Sequence, residues 1–254
     1  ERLCHQPLRT ERVTEVEPAM TSTPAPNEAT VPTFAERVDE IADAEQGDGW
    51  LCACDDAGRF LALCGELVES LAAFLESLST SVVVRSGKKR LFAERKATMA
   101  TAVDGPIVEV CAGRGELAGA LRSAGVEVVA TDADPPAGSG VERASADEAL
   151  RRYRPAVVLG CFCPVDAPVD ETVLGFASVR HYVVLGSRIG GLFGSAGLRE
   201  SEQWAVEPLE EVTRWLLTRH DVWVGPTRRI LRHGEAWHFH RRSLEPGVER
   251  RTVV

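Results

Sequence analysis

Ile107-Val-Glu-Val-Cys111-Ala-Gly-Arg-Gly115-Glu-Leu117, followed by Val128-Val-Ala-Thr-Asp132, is the stretch on which the fold turns. Four residues that alternate little and are mostly apolar read as a short buried strand. Gly113 and Gly115 then allow a tight turn in which the backbone can approach a ligand closely. The spacing predicts a helix over 113–124 and a second strand over 127–131. Asp132 ends that second strand, where a carboxylate can accept hydrogen bonds from a ribose diol. Strand, glycine turn, helix, strand and acid together make a nucleoside-binding arrangement.

Outward from this stretch the same rhythm continues. Strand signals recur at 141–145, 156–160, 181–186, 222–224 and 236–240, with helical patterns at 146–153, 172–178 and 207–219. Alternating strands and helices imply right-handed crossovers and an α/β fold with a doubly wound, seven-stranded, mostly parallel sheet. The last two strands have no helix between them and are expected to pair as an antiparallel edge. Upstream, Thr33 and Glu36 have capping-box spacing before a helical stripe of Phe34, Val38 and Ile41. Further helices are expected over 59–78 and 89–103. The expected organisation is a disordered leader (1–32), a helical lid region (33–104), a Rossmann-like domain (105–245) and a tail (246–254).

The chain has 254 residues, 44% of them hydrophobic, enough for one α/β domain with a core of its own. Its net charge of −9 repels a phosphate backbone, so no nucleic-acid partner is expected. The basic run Arg85–Lys96 holds every lysine and reads as a solvated helix face. Seven scattered cysteines are not a disulfide framework and fit a reducing cytoplasm. No signal-peptide pattern is recognised, and no apolar run approaches the roughly 18 residues of a membrane helix. A homo-oligomer or an accessory protein partner is compatible with this composition.

The motif resembles the first motif of class I S-adenosylmethionine (SAM) methyltransferases, an acidic residue in strand one followed by Gly-x-Gly-x-Gly. Glu109 matches the acid, and Gly113 and Gly115 match the second and third glycines. Cys111 stands where the family has its first glycine. Asp132 resembles the ribose-binding acid, and Asp147 the acid that contacts the adenine amino group. The resemblance covers roughly residues 105–245 and implies SAM as cofactor, with Glu109, Cys111, Gly113, Gly115, Asp132 and Asp147 around it. The dinucleotide fingerprint is disfavoured, because its third glycine would fall on Ala118.

The remaining chemistry is sparser. Strands one and four are expected side by side, which brings Cys111, Cys161 and Cys163 to the mouth of the crevice. Their spacing lacks the Cys-x-x-Cys turn of zinc sites. His238 and His240 share one face of a late strand, read as polar surface, and no metal is expected. Asp166 and Asp170 follow strand four; either can serve as a general base, with Asp166 the preferred candidate. Arg188, opening the loop Ser187-Arg-Ile-Gly-Gly191, is the candidate anchor for an anionic substrate group. Glu94 and Arg95 are weaker candidates for covering the cofactor.

The resemblance implies methyl transfer to a small molecule, of the bacterial natural-product type. Two alternatives keep the fold and lose the cofactor. One is intramolecular cyclisation, an amine displacing an anionic leaving group to form an aziridine. The other is a non-catalytic partner subunit. Cys111 motivates the first, since its side chain enters the loop that usually hugs the cofactor.

Overall fold

β1 (Ile107–Val110) is buried at all four positions, so it must lie inside a sheet covered on both faces. The computed structural model describes residues 31–44, 49–56, 58–84, 106–164, 167–187, 203–224 and 229–242, all within the unit Val31–Val254. Seven strands form one sheet in the order β3 (Glu142–Arg143), β2 (Val128–Asp132), β1, β4 (Val157–Cys161), β5 (His181–Ser187), β9 (Gly234–Arg241) and β6 (Trp204–Pro208). The first five run parallel, and β9 is antiparallel to both β5 and β6. A separate hairpin joins β7 (Val222–Val224) to β8 (Arg229–Leu231).

Alternate residues of the central strands feed two cores. Val157, Leu159 and Val183 pack with Leu67, Leu71 and Leu75 of α3 (Gly65–Val84) and Leu117 and Leu121 of α4 (Glu116–Ser123). Val108, Val158 and Val184 pack on the opposite face with Leu150 of α5 (Ala146–Tyr153) and Val173 of α6 (Val169–Gly175). A third cluster gathers Ile41 of α1 (Phe34–Ala44), Trp50 and Cys54 of α2 (Gly49–Asp56), and Leu217. Trp50 Nε1 donates to the Thr218 carbonyl at 3.1 Å, tying this cluster to the α/β part. The capping box of α1 is formed as its spacing predicts, with Thr33 N–H donating to Glu36 Oε2 (2.7 Å) and Glu36 N–H to Thr33 Oγ1 (3.2 Å).

Four expectations need correction. The helix expected from residue 59 starts at Gly65; Leu61 instead bridges Thr218, and the chain from Phe60 to Cys64 runs beside the cavity described below. The helix expected over 207–219 is strand β6 followed by the four-residue α7 (Glu210–Thr213). The helical spacing of Val212, Trp215 and Leu216 concealed a strand of five residues, and Pro208 is tolerated because β6 is an edge. Residues 222–224 lie in the hairpin, outside the main sheet. The antiparallel strand is therefore β9, one place in from the edge. The expected leader and tail, the helix over 89–103, the run Arg85–Lys96, Glu94 and Arg95 lie outside the described residues, apart from positions 31 and 32. No helix of the described residues is long and apolar enough to cross a membrane.

Gly115 is the glycine whose replacement should disturb the fold most directly. Its φ is +74°, and an added Cβ would stand 2.6 Å from Val141 Cγ2. Gly115→Ala should lose about 2–3 kcal/mol of stability in urea unfolding, from left-handed strain plus overpacking. Gly119 sits in α4 with nothing within 4 Å of an added Cβ. Gly119→Ala should be neutral or stabilise by up to about 1 kcal/mol.

Candidate cofactor site

The site is assembled by hydrogen bonds between the β1 and β2 ends. Ala112 N–H donates to the Thr131 carbonyl at 3.0 Å, and Gly115 N–H closes back on the Ala112 carbonyl at 2.7 Å. Gly113 N–H donates to Asp132 Oδ2 at 2.8 Å, while Asp134 N–H donates to Oδ1 at 2.9 Å. One carboxylate thus locks the glycine loop and the loop after β2 together. Each of its oxygens keeps a further acceptor position.

Above this junction, at the carboxyl ends of β1, β2 and β4, lies a cavity of about 760 Å³. That is the crevice in which open α/β sheets bind ligands. Glu109, Cys111, Gly113 and Asp132 all line it, as do Cys161 and Phe162 from the end of β4. Gly115 stands behind them at the start of α4, packed against Val141. Cys111 has φ +56°, a left-handed conformation that glycine adopts freely and cysteine rarely. The loop therefore keeps a glycine-like path in spite of its side chain. Phe162 has φ +53° on the other side of the cavity. Two strained non-glycine residues flanking one cavity mark it as a site the surrounding structure works to hold.

Glu109 is the most perturbed of the cavity acids. Its side chain is 1% exposed, and Oε2 has no hydrogen-bond partner among the described residues. Burial pushes its pKa up to about 8, against the opposing pull of the Ala118 N–H and the Arg122 charge. Glu109 is thus largely protonated at neutral pH. The three expected thiols do gather here. Cys111 and Cys161 line the cavity, and Cys163 is a buried free thiol whose Sγ lies 3.8 Å from Tyr182 Oη. Burial, with the nearby Glu109 charge, holds the Cys161 thiol well above its usual pKa, and the neighbouring Cys111 thiol and burial do the same for Cys163. Thiols kept protonated are poor nucleophiles and poor metal ligands.

Two sequence-based site residues fall elsewhere. Asp147 is in the first turn of α5, just after the N-cap Ser145, and its carboxylate is held by Arg151 at 2.7 and 3.0 Å. It does not line the cavity; Asp134 and Pro136 of the β2–β3 loop occupy that side. Asp170 is buried and accepts from Tyr182 Oη at 2.7 Å, and that hydroxyl lies 3.8 Å from Cys163 Sγ. It braces the floor under β4. Asp166 and Arg188 lie outside the described residues.

Sequence reading missed the aromatic wall. Phe60 and Phe162 both line the cavity, with ring centroids 5.8 Å apart, and the Arg219 guanidinium sits 4.5 Å above the Phe60 ring. Phe60 remains exposed for a large apolar side chain. The sequence around Phe162 drew attention for its cysteines, and nothing local connects it with a residue a hundred positions earlier.

The strand order, with a single reversed strand second from the edge and a glycine loop under the cavity, decides the architecture. The strand order is methyltransferase-like, in an α/β Rossmann-like fold. No protein-family model matches the chain, and no curated protein sequence matches it. Among solved structures it is similar to the 23S rRNA methyltransferase ErmE, at 14% identity and a TM-score of 0.33 over 55% of this chain and 62% of that one. It is similar to magnesium protoporphyrin IX methyltransferase ChlM from Synechocystis PCC 6803 with bound SAM, at 10% identity and a TM-score of 0.34 over 68% and 80%. It is also similar to the glycopeptide N-methyltransferase MtfA complexed with S-adenosylhomocysteine, at 14% identity and a TM-score of 0.29 over 64% and 97%. At these scores the likeness carries no functional argument. The chain spans less than two thirds of ErmE, and the assignment of the methyltransferase-like fold rests on its own strand order.

Proposed function

We propose that this protein transfers a methyl group from SAM to a small molecule in natural-product metabolism. The observation that carries the reading is the cavity at the ends of β1, β2 and β4, with the glycine loop and Asp132 locked together at its base. The residues present suit the cofactor. Asp132 offers acceptors to a ribose diol, and the unpartnered Glu109 Oε2 offers one to an ammonium or hydroxyl group. Gly113 and Cys111, both at positive φ, turn backbone toward the ligand. SAM supplies a methyl group on a cationic sulfur, an electrophile that needs positioning more than activation.

The chain's own residues then orient and exclude water. Phe60 and Phe162 provide an apolar wall, which favours a substrate with a flat or apolar portion. The segment from Gly58 to Leu63 serves as part of the covering lid. Asp166 is assigned the proton of an acidic nucleophile, and Arg188 an anionic substrate group, on sequence grounds alone.

The test is calorimetric titration of the full chain with S-adenosylhomocysteine, followed by transfer of labelled methyl from SAM to candidate metabolites. Saturable binding at one molecule per chain is expected, in the micromolar range. Absence of binding by well-folded protein would overturn the reading in favour of cyclisation chemistry or a partner role.

A further inference from the structure

At the end of the sheet opposite the cavity, three neighbouring strands bring imidazoles together on one face. His181 opens β5 and pairs across the sheet with His240 of β9. His238, two residues earlier on β9, stands opposite Val183 on one side and Glu207 of β6 on the other. Residues two apart on a strand share a face, so His238, His240, His181 and Glu207 all project to the side covered by α3. The Phe74 ring of α3 meets His238 edge-on, at 5.1 Å between centroids.

Donor atoms of Glu207, His238 and His240 lie within 4.8 Å of one another. His181 Nδ1 is 3.0 Å from His238 Nε2, with the two rings stacked at 5.3 Å. His240 Nδ1 is buried and has no hydrogen-bond partner among the described residues. A buried nitrogen left unsatisfied costs stability, and native structures seldom keep one without a ligand or water.

We infer that Glu207, His238 and His240 form a zinc-type divalent metal site, with His181 positioning the His238 ring. Two imidazoles and a carboxylate are the donors that zinc and its neighbours prefer. Bonds of about 2.0–2.2 Å place tetrahedral donors about 3.3–3.5 Å apart, so modest side-chain rotation closes the observed spread. His238 is only 6% exposed, while Glu207 is exposed and gives the ion a way in. The site joins β5, β9 and β6, so the ion braces the three strands furthest from the glycine loop. Its place on the sheet makes it independent of the cofactor cavity.

The experiment uses untagged full-length chain, stripped with a chelator and titrated with zinc. One ion per chain is expected, with a rise in melting temperature. Glu207→Gln, at an exposed position, should fold normally and weaken zinc binding at least about tenfold; His240→Asn should do the same. Cobalt(II) loaded in place of zinc should show visible bands without a thiolate charge-transfer band. S-adenosylhomocysteine binding should be unchanged in both variants. Failure of folded wild-type protein to bind zinc overturns the site. So does a thiolate band unaffected by Glu207→Gln, which would put the metal on cysteines, or full affinity in both variants.

Discussion

Asp132→Ala is expected to reduce S-adenosylhomocysteine affinity by a hundredfold or more while leaving the protein folded. Two effects combine. The first is the loss of a charged acceptor for the ribose diol, where each charge-assisted bond contributes about 1.5–3 kcal/mol. The second is release of the Gly113 and Asp134 N–H groups, now held at 2.8 and 2.9 Å, which loosens both loops around the ligand. Together these amount to about 3 kcal/mol or more, and about 1.4 kcal/mol corresponds to tenfold in Kd. Stability should fall by only about 1 kcal/mol, because the loop amides lie near water. Asp132→Asn should sit between wild type and alanine, since an amide retains one acceptor oxygen. Calorimetry with a melting curve for each variant separates the effects. Unchanged affinity in Asp132→Ala would remove the ribose from this side of the cavity.

Glu109→Gln should change the pH dependence of stability more than any other single substitution in the site. The folded pKa of Glu109, about 8, lies above its ordinary 4.5. The folded state therefore binds the proton more tightly than the unfolded one. Its contribution is fully present below about pH 4.5 and is lost as pH rises through about 8. Each pH unit across that window corresponds to about 1.4 kcal/mol at most, so the loss reaches a few kcal/mol. Glutamine is neutral throughout and removes the dependence. The variant should gain on wild type steadily from pH 5 to pH 8.5 in urea unfolding without ligand. A constant difference across that range would mean that Glu109 ionises freely in the folded protein.

The two predictions concern residues that were legible for different reasons. Asp132 could be placed from its position alone, since a strand end after a glycine turn has one location in a parallel sheet. Glu109 was legible as a motif member, but its buried, proton-holding state was not. That state depends on Leu117, Ala118 and the β4 end closing around it, contacts made only when the sheet assembles. Asp147 shows the converse. The resemblance implied an adenine contact for it, yet its carboxylate, in the first turn of α5, is held by Arg151.

By itself the sequence determined the alternation of strands and helices, the glycine loop, the acid at the end of β2 and the two-faced core. These are local or periodic features, in which hydrophobic spacing and backbone freedom dictate conformation within a few residues. The tertiary structure alone decided that residues 204–208 make the edge strand and that β9 inserts beside β5. It also decided that Phe60 meets Phe162 and that three histidines and a glutamate converge at the far end of the sheet. Each of these joins residues distant in the chain, and their pairing follows from the register between strands. A shift of one residue would send every side chain to the other face, so only the assembled sheet could settle them.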